Sequence, residues 1–252
     1  MIRLNQIHKS FEGRRVINGL TLHVERGETM VIIGGSGTGK SVSLKIITGI
    51  ITPDSGDVII NGESMINAQA DRLARIRNQM GVLFQGGALL NSLSVFDNVA
   101  LPLTEHTSMD KDQIRDKVMT TLEMVDLKHA AHKMPSEISG GMCKRASLAR
   151  AIIRDPAIIL YDEPTSGLDP VMSHVIDNLT LSMQKQLGVT SIVVTHDMTS
   201  AYRVADRIAY LYAGEVEELG TPEQIRSSPN KRLQQFINGA LEGPLTLKEK
   251  RP

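Results

Sequence analysis

The sequence lacks the residues from which disulfide-stapled and zinc-binding domains are built. Cys143 is the single cysteine among 252 residues, so the chain can form no internal disulfide and offers no cysteine cluster for zinc. This usage suits a reducing compartment, and we expect Cys143 to be a small filler on a helix. Aromatic residues are also few, with four phenylalanines, four tyrosines and no tryptophan.

The sequence has no net charge and no long apolar run. Its 28 lysines and arginines balance 28 aspartates and glutamates, so no overall charge draws it toward nucleic acid or an acidic membrane surface. No apolar stretch approaches the roughly 20 residues that a membrane-spanning helix needs, and residues 1–4 open no signal peptide. We therefore expect a soluble chain that binds no nucleic acid and works at a membrane only through a partner.

Residues 34–41 are the stretch around which the rest of the sequence is organised. They read GGSGTGKS and fit the pattern G-x-x-x-x-G-K-[ST], with the apolar run 30–33 before them and a helical pattern over 42–50 after them. In such a loop, glycines let backbone N–H groups turn inward around phosphates, and the next helix points its positive end at them. The alternative is an ordinary glycine-rich turn.

The residues of this loop are predicted to bind a nucleoside triphosphate. The set is Gly34, Gly35, Ser36, Gly37, Thr38, Gly39, Lys40 and Ser41. Lys40 can reach the outer phosphates, and the Ser41 hydroxyl can ligate Mg²⁺. At 252 residues, the chain has room for one nucleotide-binding domain that carries an inserted subdomain.

Phe11 is the candidate for holding the nucleotide base. Residues 2–9 and 20–24 alternate apolar and polar side chains, which predicts a small antiparallel sheet at the start of the chain. An aromatic face can hold adenine by stacking, and Val16 offers a second apolar contact. A phenylalanine considered alone is more often a core residue.

Two acids, Asp162 and Glu163, come at the end of the apolar run 158–161, which predicts a buried strand. Parallel-sheet proteins keep their ligands at the carboxyl ends of such strands. Asp162 can hold Mg²⁺ directly or through water, and Glu163 can orient or deprotonate an attacking water. A purely structural pair of acids is the alternative.

Polar candidates also follow the apolar runs 80–84 and 191–195. Gln85 precedes two glycines that can absorb movement, and its amide can reach a metal or a catalytic water. His196 can contact a γ-phosphate. Considered alone, Gln85 is an ordinary loop residue and His196 is more often a surface histidine.

Helical patterns fill the stretch between these candidates. Residues 94–134 predict an inserted helical subdomain, and residues 136–142 predict the opening of a further helix. Ser139, Gly140 and Gly141 at the start of that helix can form a second anion nest, although a simple helix cap is the alternative.

The last third of the chain predicts regular structure up to a polar tail. Residues 164–170 form a turn-rich loop before a helix over 171–187, and residues 208–219 suggest a hairpin. A capping box begins at Thr221. The tail, residues 242–252, is polar, and we expect it to be mobile unless a neighbouring subunit holds it.

These motifs occur in the order found in ATP-binding-cassette (ABC) ATPases, which the sequence resembles over nearly its whole length. The matching positions are Phe11, 34–41, Gln85, 138–142, 158–163, 166–169 and His196. The resemblance implies an α/β fold of the P-loop NTPase type, with an N-terminal antiparallel β-subdomain, a parallel-sheet core and an inserted α-helical subdomain. It implies a single domain over 1–252, with the helical subdomain at about 90–155 and C-terminal helices and tail at about 221–252.

The resemblance also implies hydrolysis of ATP with Mg²⁺ as cofactor. Phe11 and Val16 would contact adenine, and Glu163 would be the catalytic base with His196 as sensor of the γ-phosphate. The implied metal contacts are Ser41, Gln85 and Asp162.

A second copy of the chain is part of what the resemblance implies. The signature residues Ser139, Gly140, Gly141 and Met142 would contact ATP bound to that copy, with Asp169 in the adjoining loop, so the active unit would be a homodimer. The family usually has glutamine where Met142 stands, and a proline is common where Gly35 stands. Neither departure removes a group that touches phosphate, metal or water.

A narrower resemblance, to the ATPases of Mla/Mce-type phospholipid-trafficking systems, is carried by residues 83–89, 95–103, 105–107 and 134–142. Met142 agrees with that subgroup. The likeness implies a peripheral ATPase on the cytoplasmic face of the bacterial inner membrane. It would bind a multi-spanning permease, a small STAS-domain subunit and an MCE-domain lipid-carrying protein.

Three alternatives remain beside this interpretation. The nearest is the same ATPase on an importer for another small solute. Soluble cassette proteins that act on DNA or the ribosome usually carry paired cassettes, long coiled coils or zinc modules, which this chain does not have. A regulatory protein that binds nucleotide without hydrolysing it is opposed by the intact pair Asp162 and Glu163.

Overall fold

The computed structural model describes residues 1–66 and 68–246. They form two compact units, one of residues 1–66 and 194–246 and the other of residues 68–193. Among these residues, no helix combines the length and the apolar character that crossing a bilayer requires. The end of the expected tail, residues 247–252, lies outside the described residues.

Strands and helices follow one another along both units. The strands are β1 Ile2–Phe11, β2 Arg14–Val24, β3 Thr29–Ile33, β4 Ser55–Ile60, β5 Glu63–Ser64, β6 Met80–Leu83, β7 Ile158–Asp162, β8 Thr190–Val194, β9 Arg207–Tyr212 and β10 Glu215–Gly220. The helices are α1 Lys40–Ile47, α2 Ala70–Arg77, α3 Val95–His106, α4 Lys111–Met124, α5 Gly140–Ile152, α6 Pro170–Leu187, α7 Met198–Val204, α8 Pro222–Arg226 and α9 Lys231–Asn238.

An antiparallel sheet in the first unit confirms the expectation for the start of the chain. Its strand order is β2-β1-β4-β5. Leu4 of β1 pairs with Leu22 on one side and Val58 on the other. Successive side chains of a strand point to opposite faces, so Ile2 and Leu4 are buried while Arg3 between them is exposed.

A second group of strands in the first unit leads into the glycine-rich loop. β3 runs parallel to β9, and β10 pairs antiparallel with β9 as the predicted hairpin. All five residues of β3 are buried, as is typical of a parallel strand covered on both faces. β3 ends at Ile33, and the chain then passes through the loop to α1, whose N-cap is Gly39.

The second unit places two parallel strands so that candidate residues follow their ends. β6 pairs with β7, and Met80 lies opposite Ile158. β6 ends two residues before Gln85, and β7 ends at Asp162, directly before Glu163. The predicted strands 80–84 and 158–161 and the predicted helix 171–187 are confirmed within one residue at each end.

Helix α5 differs from its prediction in two ways. It begins at Gly140 after the N-cap Ser139, whereas residues 135–137 form a separate short 3-10 helix. Polar side chains of the helix are also buried, Lys144 and Ser147 among them, which the sequence did not indicate. A sequence pattern could not show this, because both side chains bind backbone carbonyls about 60 residues earlier in the chain, those of Gln85 and Gly87. Cys143 lies on this helix, as expected.

The sequence did not indicate β5, α2 and α7. β5 has only two residues, and α7 has seven. α2 has eight residues, and Ile76 is its only buried residue, so few apolar side chains mark it in the sequence. These elements form because neighbouring structure supports them, and local pattern alone is a weak guide there.

Gly81 tests how tightly β6 packs on α5. A Cβ atom at Gly81 would lie 2.2 Å from the backbone oxygen of Ala151, whereas one at Gly86 would meet nothing within 4 Å. We expect Gly81→Ala to destabilise the protein by about 1–3 kcal/mol, as overpacking does, and Gly86→Ala to leave stability nearly unchanged. Urea unfolding of both variants measures this, and equal stabilities would contradict the packing described here.

Candidate functional site

The candidate residues divide between the two units. The first unit contains Phe11, Val16, the loop 34–41 and His196. The second contains Gln85, the signature residues Ser139, Gly140, Gly141 and Met142, the acids Asp162 and Glu163, and Asp169.

The glycine-rich loop is shaped by close backbone approaches that only glycine permits. Gly39 has a φ of 102°, and a Cβ there would lie 2.4 Å from Ile17 Cδ1 and 3.0 Å from the Val16 oxygen. Gly34 has a φ of 153°, and a Cβ there would lie 2.4 Å from the Leu211 oxygen. Val16 therefore lies beside the loop, as its predicted role requires, and its neighbour Ile17 packs against it.

Lys40 is buried and folds back over the loop. Its ammonium donates hydrogen bonds of 2.7 Å to the Gly34 oxygen and 2.9 Å to the Gly35 oxygen. The Thr38 hydroxyl donates to the same Gly35 oxygen at 3.0 Å. These bonds hold the lysine charge at the centre of the loop, where backbone N–H groups and the start of α1 already favour an anion. The arrangement suits phosphate groups.

Phe11 is not a core residue, so that alternative is wrong. Its side chain is 41% exposed at the end of β1. The Lys9 ammonium lies 5.5 Å from the ring centroid and also pairs with Asp54 at 2.8 Å. The ring therefore stands at the surface beside a cation, and its stacking on adenine stays a prediction.

His196 is exposed and lies two residues after the end of β8. Its neighbours on both sides are fixed: the Thr195 N–H donates to the Ile32 oxygen at 3.1 Å, and the Asp197 N–H donates to the Thr195 hydroxyl at 3.0 Å. Asp197 then caps α7. His196 is thus held near the end of β3, the strand that leads into the glycine-rich loop.

Asp162 and Glu163 are both buried at the end of β7. Glu163 has a φ of 48°, a left-handed backbone conformation that L-residues rarely adopt and that costs about 1–3 kcal/mol. The backbone carbonyl oxygen of Glu163 accepts hydrogen bonds from the Ser166 N–H at 3.2 Å and from the Lys144 ammonium at 3.4 Å. Strain of this kind is concentrated at functional sites.

Lys144 is a site residue that the sequence reasoning missed. Its ammonium donates hydrogen bonds to the backbone carbonyl oxygens of Gln85 and Glu163. Burial lowers the pKa of Lys144, and the charges of Asp162 and Glu163 oppose that shift. Little in the sequence points to this role, since a lysine within a helix usually indicates a solvated position.

The loop that carries Gln85 is held to α5 by two more side chains. The Gly87 oxygen accepts hydrogen bonds from the Ser147 hydroxyl at 2.7 Å and from Arg150 at 3.0 Å. Burial lowers the pKa of Arg150. Gly87 has a φ of 75°, and a Cβ there would lie 2.8 Å from the Ser147 hydroxyl. The Gln85 side chain itself belongs to an exposed residue.

The signature residues lie at the start of α5. The Ser139 hydroxyl accepts a hydrogen bond of 3.3 Å from the Met142 N–H, and Ser139 and Gly140 are exposed. A Cβ at Gly141 would lie 2.8 Å from Met172 Cε. Ser139 therefore caps the helix, and the first residues of the cap are exposed. The structure is compatible with both a simple helix cap and an anion nest.

Asp169 has a structural role in addition to its predicted one. It is the N-cap of α6, and its carboxylate accepts hydrogen bonds from the N–H groups of Val171 and Met172 at 2.9 and 3.0 Å. Among the described residues, no group of three or more histidine, cysteine and acidic side chains could hold a metal ion.

Comparison with known proteins identifies the family. The family model described as "ABC transporter" matches residues 17–166. The chain is 42% identical over 250 residues to the probable ribonucleotide transport ATP-binding protein mkl of Mycobacterium tuberculosis, covering 99% of this chain and 70% of that protein. It is 43% identical over 238 residues to the intermembrane phospholipid transport system ATP-binding protein MlaF of Haemophilus influenzae, covering 94% and 90%.

Solved structures agree with this family and with the expected fold class. A dimeric ATP-binding cassette in a post-hydrolysis state, bound to ADP and Pi, matches with a TM-score of 0.82 and 33% identity. The match covers 88% of this chain and 99% of that one. The chain has the α/β P-loop fold of these cassettes and belongs to the ABC transporter family, as an ATP-binding subunit with ATPase activity.

Proposed function

We propose that this chain hydrolyses ATP to drive phospholipid trafficking at a bacterial inner membrane. The observation that carries the proposal is the 43% identity, over 94% of the chain, to a protein named as the ATP-binding protein of intermembrane phospholipid transport. Met142, which departs from the wider family, supports the same subgroup. The function is the coupling of ATP hydrolysis to lipid movement that maintains outer-membrane asymmetry.

A second candidate is an importer ATPase for another small solute. It is favoured by the 42% identity to a protein named for ribonucleotide transport. The two candidates share the ATPase and differ in the permease, so the partner distinguishes them.

The nucleotide roles in this proposal follow the chemistry of each residue. Phe11 stacks on adenine and Val16 adds an apolar contact. Lys40 exchanges the Gly34 and Gly35 oxygens for the outer phosphates, with which a cation interacts more strongly than with neutral carbonyls. The backbone N–H groups of loop residues 34–41 surround those phosphates.

The proposed metal is Mg²⁺, and the residues that would hold it are Ser41, Gln85 and Asp162. Mg²⁺ prefers oxygen and is usually bound by one or two carboxylates together with substrate phosphates, so a hydroxyl, an amide oxygen and one carboxylate fit it. When bound, the metal neutralises developing charge on the phosphates. Glu163 orients and deprotonates the attacking water, and His196 senses the γ-phosphate.

The active unit in this proposal is a homodimer. The start of α5, Ser139 to Met142, contacts ATP bound to the second copy, and Asp169 lies in the loop beside that interface. Ser139 and Gly140 are exposed there. The N-terminus of the 13-residue helix α5 is suited to an anion because its first N–H groups have no partners within the helix.

Residues 84–87 form the loop that carries Gln85, called the glutamine loop below. The permease contacts the segment that follows this loop. Leu90 is 46% exposed, and Asn98 fixes the backbone beneath it. Asn98 Oδ1 accepts from the Leu90 N–H at 2.7 Å, and Nδ2 donates to the oxygens of Leu90 and Leu93 at 3.0 Å each. A rigid loop that presents an apolar side chain suits a short helix of a partner. Val95 and Val99 are buried and belong to the core instead.

The further partners are an MlaE-like permease, an MlaB-like STAS-domain subunit and an MlaD-like MCE-domain lipid-binding protein, with no nucleic acid. The chain is peripheral on the cytoplasmic face of the bacterial inner membrane. It works as one ATPase domain over 1–252, with the helical subdomain at about 90–155 and C-terminal helices and tail at about 221–252.

Glu163→Gln tests the catalytic base. The amide keeps the shape of the side chain but cannot take a proton, so ATP turnover should fall roughly 10²–10⁴-fold while ATP binding persists. Glu123→Gln is the control, because Glu123 is a 67% exposed partner of Lys128 in the same unit. Near-normal ATP turnover by Glu163→Gln would show that Glu163 is not the catalytic base.

Phe11→Ala tests adenine stacking. A stacked base contributes about 1–3 kcal/mol, so the variant should bind ATP roughly five- to a hundredfold more weakly. Phe236→Ala is the matched control in the same unit, since Phe236 packs at 5.7 Å on Tyr210 and should change melting temperature rather than affinity. Unchanged ATP affinity in Phe11→Ala rules out the stacking role.

Purification of the membrane complex tests the transport function. We expect a permease and an MCE-domain subunit to co-purify and bound phospholipid to be detected by mass spectrometry. Leu90→Glu should leave the isolated chain folded and ATP-binding but remove it from the complex, because a charge on the docking side chain cannot be solvated there.

Leu187→Glu is the control for that experiment, because Leu187 is 42% exposed at the end of α6 in the same unit. It should remain in the complex. A complex that lacks an MCE-domain subunit and phospholipid contradicts the lipid assignment and leaves the ATPase assignment intact. Retention of Leu90→Glu contradicts the docking surface alone.

A further inference from the structure

Helix α5 holds the glutamine loop through three side chains on successive turns. Lys144, Ser147 and Arg150 are spaced three residues apart and therefore lie along one face of the helix. All three donate to backbone oxygens of the loop, Lys144 to Gln85 and the other two to Gly87. The position of the loop thus depends on the position of this helix.

Lys144 differs from the other two because it also reaches the strand end that carries the proposed base. Its ammonium donates to the Glu163 oxygen at 3.4 Å as well as to the Gln85 oxygen. The side chain is 6% exposed. A buried ammonium is costly unless it is paired, so an apolar side chain would serve simple packing better at this position. The two carbonyl acceptors explain why a cation stands here.

The bond to Glu163 acts on a backbone that needs support. The φ of 48° at Glu163 is maintained only if surrounding groups hold the peptide in place. The Ser166 N–H and the Lys144 ammonium are two groups that bind its oxygen. Because the peptide orientation sets the direction of the side chain, a shift of this oxygen moves the Glu163 carboxylate.

We propose that Lys144 is a positioning residue that joins the glutamine loop to the backbone of Glu163. Through this link, the orientation of the Glu163 carboxylate depends on the position of the loop. The proposal rests on the role proposed above for Glu163. One ammonium on a flexible stem serves both oxygens, so displacement of the Gln85 backbone changes the bond to Glu163. Lys144 is also five residues from Ser139, about 7.5 Å along the helix, and the same rigid helix presents the signature residues.

The test compares Lys144→Met and Lys144→Arg in the full-length chain. Methionine keeps the aliphatic stem and removes the donors, so kcat should fall about 10–100-fold, as small misplacements of catalytic groups cause. The Kd for a fluorescent ATP analogue should stay within about twofold, because Lys144 is not proposed to touch ATP. Arginine retains donors for two acceptors and should restore most of kcat.

Lys185→Met is the matched control, since Lys185 is exposed on α6 in the same unit. It should turn over ATP like the unmodified chain. A general structural role predicts a different result: Lys144→Met and Lys144→Arg would lose kcat equally, and both would bind the ATP analogue more weakly. That result would overturn the proposal. Unchanged kcat in Lys144→Met would overturn it as well.

A double-mutant cycle with Glu163→Gln separates this proposal from the one on which it rests. If Lys144 acts through Glu163, adding Lys144→Met to Glu163→Gln should lower the residual kcat by less than about threefold, since residues that act as a unit are non-additive. A full additional loss would show that Lys144 acts elsewhere. Near-normal turnover of Glu163→Gln alone overturns the role of the base, whereas an inactive Glu163→Gln with an active Lys144→Met overturns only the role of Lys144.

Discussion

The structure depends on pairing the backbone carbonyls that appear where a buried strand ends in a loop. An unpaired buried carbonyl costs about as much as a lost hydrogen bond, so each of these oxygens needs a donor. In both units a buried lysine supplies it: Lys40 binds the Gly34 and Gly35 oxygens, and Lys144 binds those of Gln85 and Glu163. The loops that carry the chemistry are therefore held by cations rather than by regular strand pairing.

This way of holding a loop has a functional consequence. A carbonyl is a weak partner for an ammonium compared with a phosphate or a carboxylate, so a bond of this kind can be exchanged when a ligand arrives. In the function proposed above, this leaves Lys40 available for phosphate. Glycines at 39 and 87 allow the close approaches that these loops require.

Two candidate site residues, and a neighbour of a third, also perform a structural task. Ser139 and Asp169 cap the helices that follow them, and Asp197 caps the helix next to His196. A capping side chain contributes about 0.5–2 kcal/mol. A sequence motif that contains such a residue cannot separate its contribution to folding from its proposed contribution to ATP binding. Substitutions at these positions therefore need a measurement of stability beside activity.

The sequence by itself determined the family, the fold class and the strands and helices whose apolar periodicity is strong, because spacing and local propensity are properties of neighbouring residues. It also determined the position of the loop 34–41, because this loop is recognised by the spacing of its glycines and lysine along the chain. The tertiary structure alone decided that Phe11 is exposed, that Lys144 is buried and where its donors go. Those facts depend on contacts between residues far apart in sequence, such as Lys144 with Gln85, and no local pattern records such contacts.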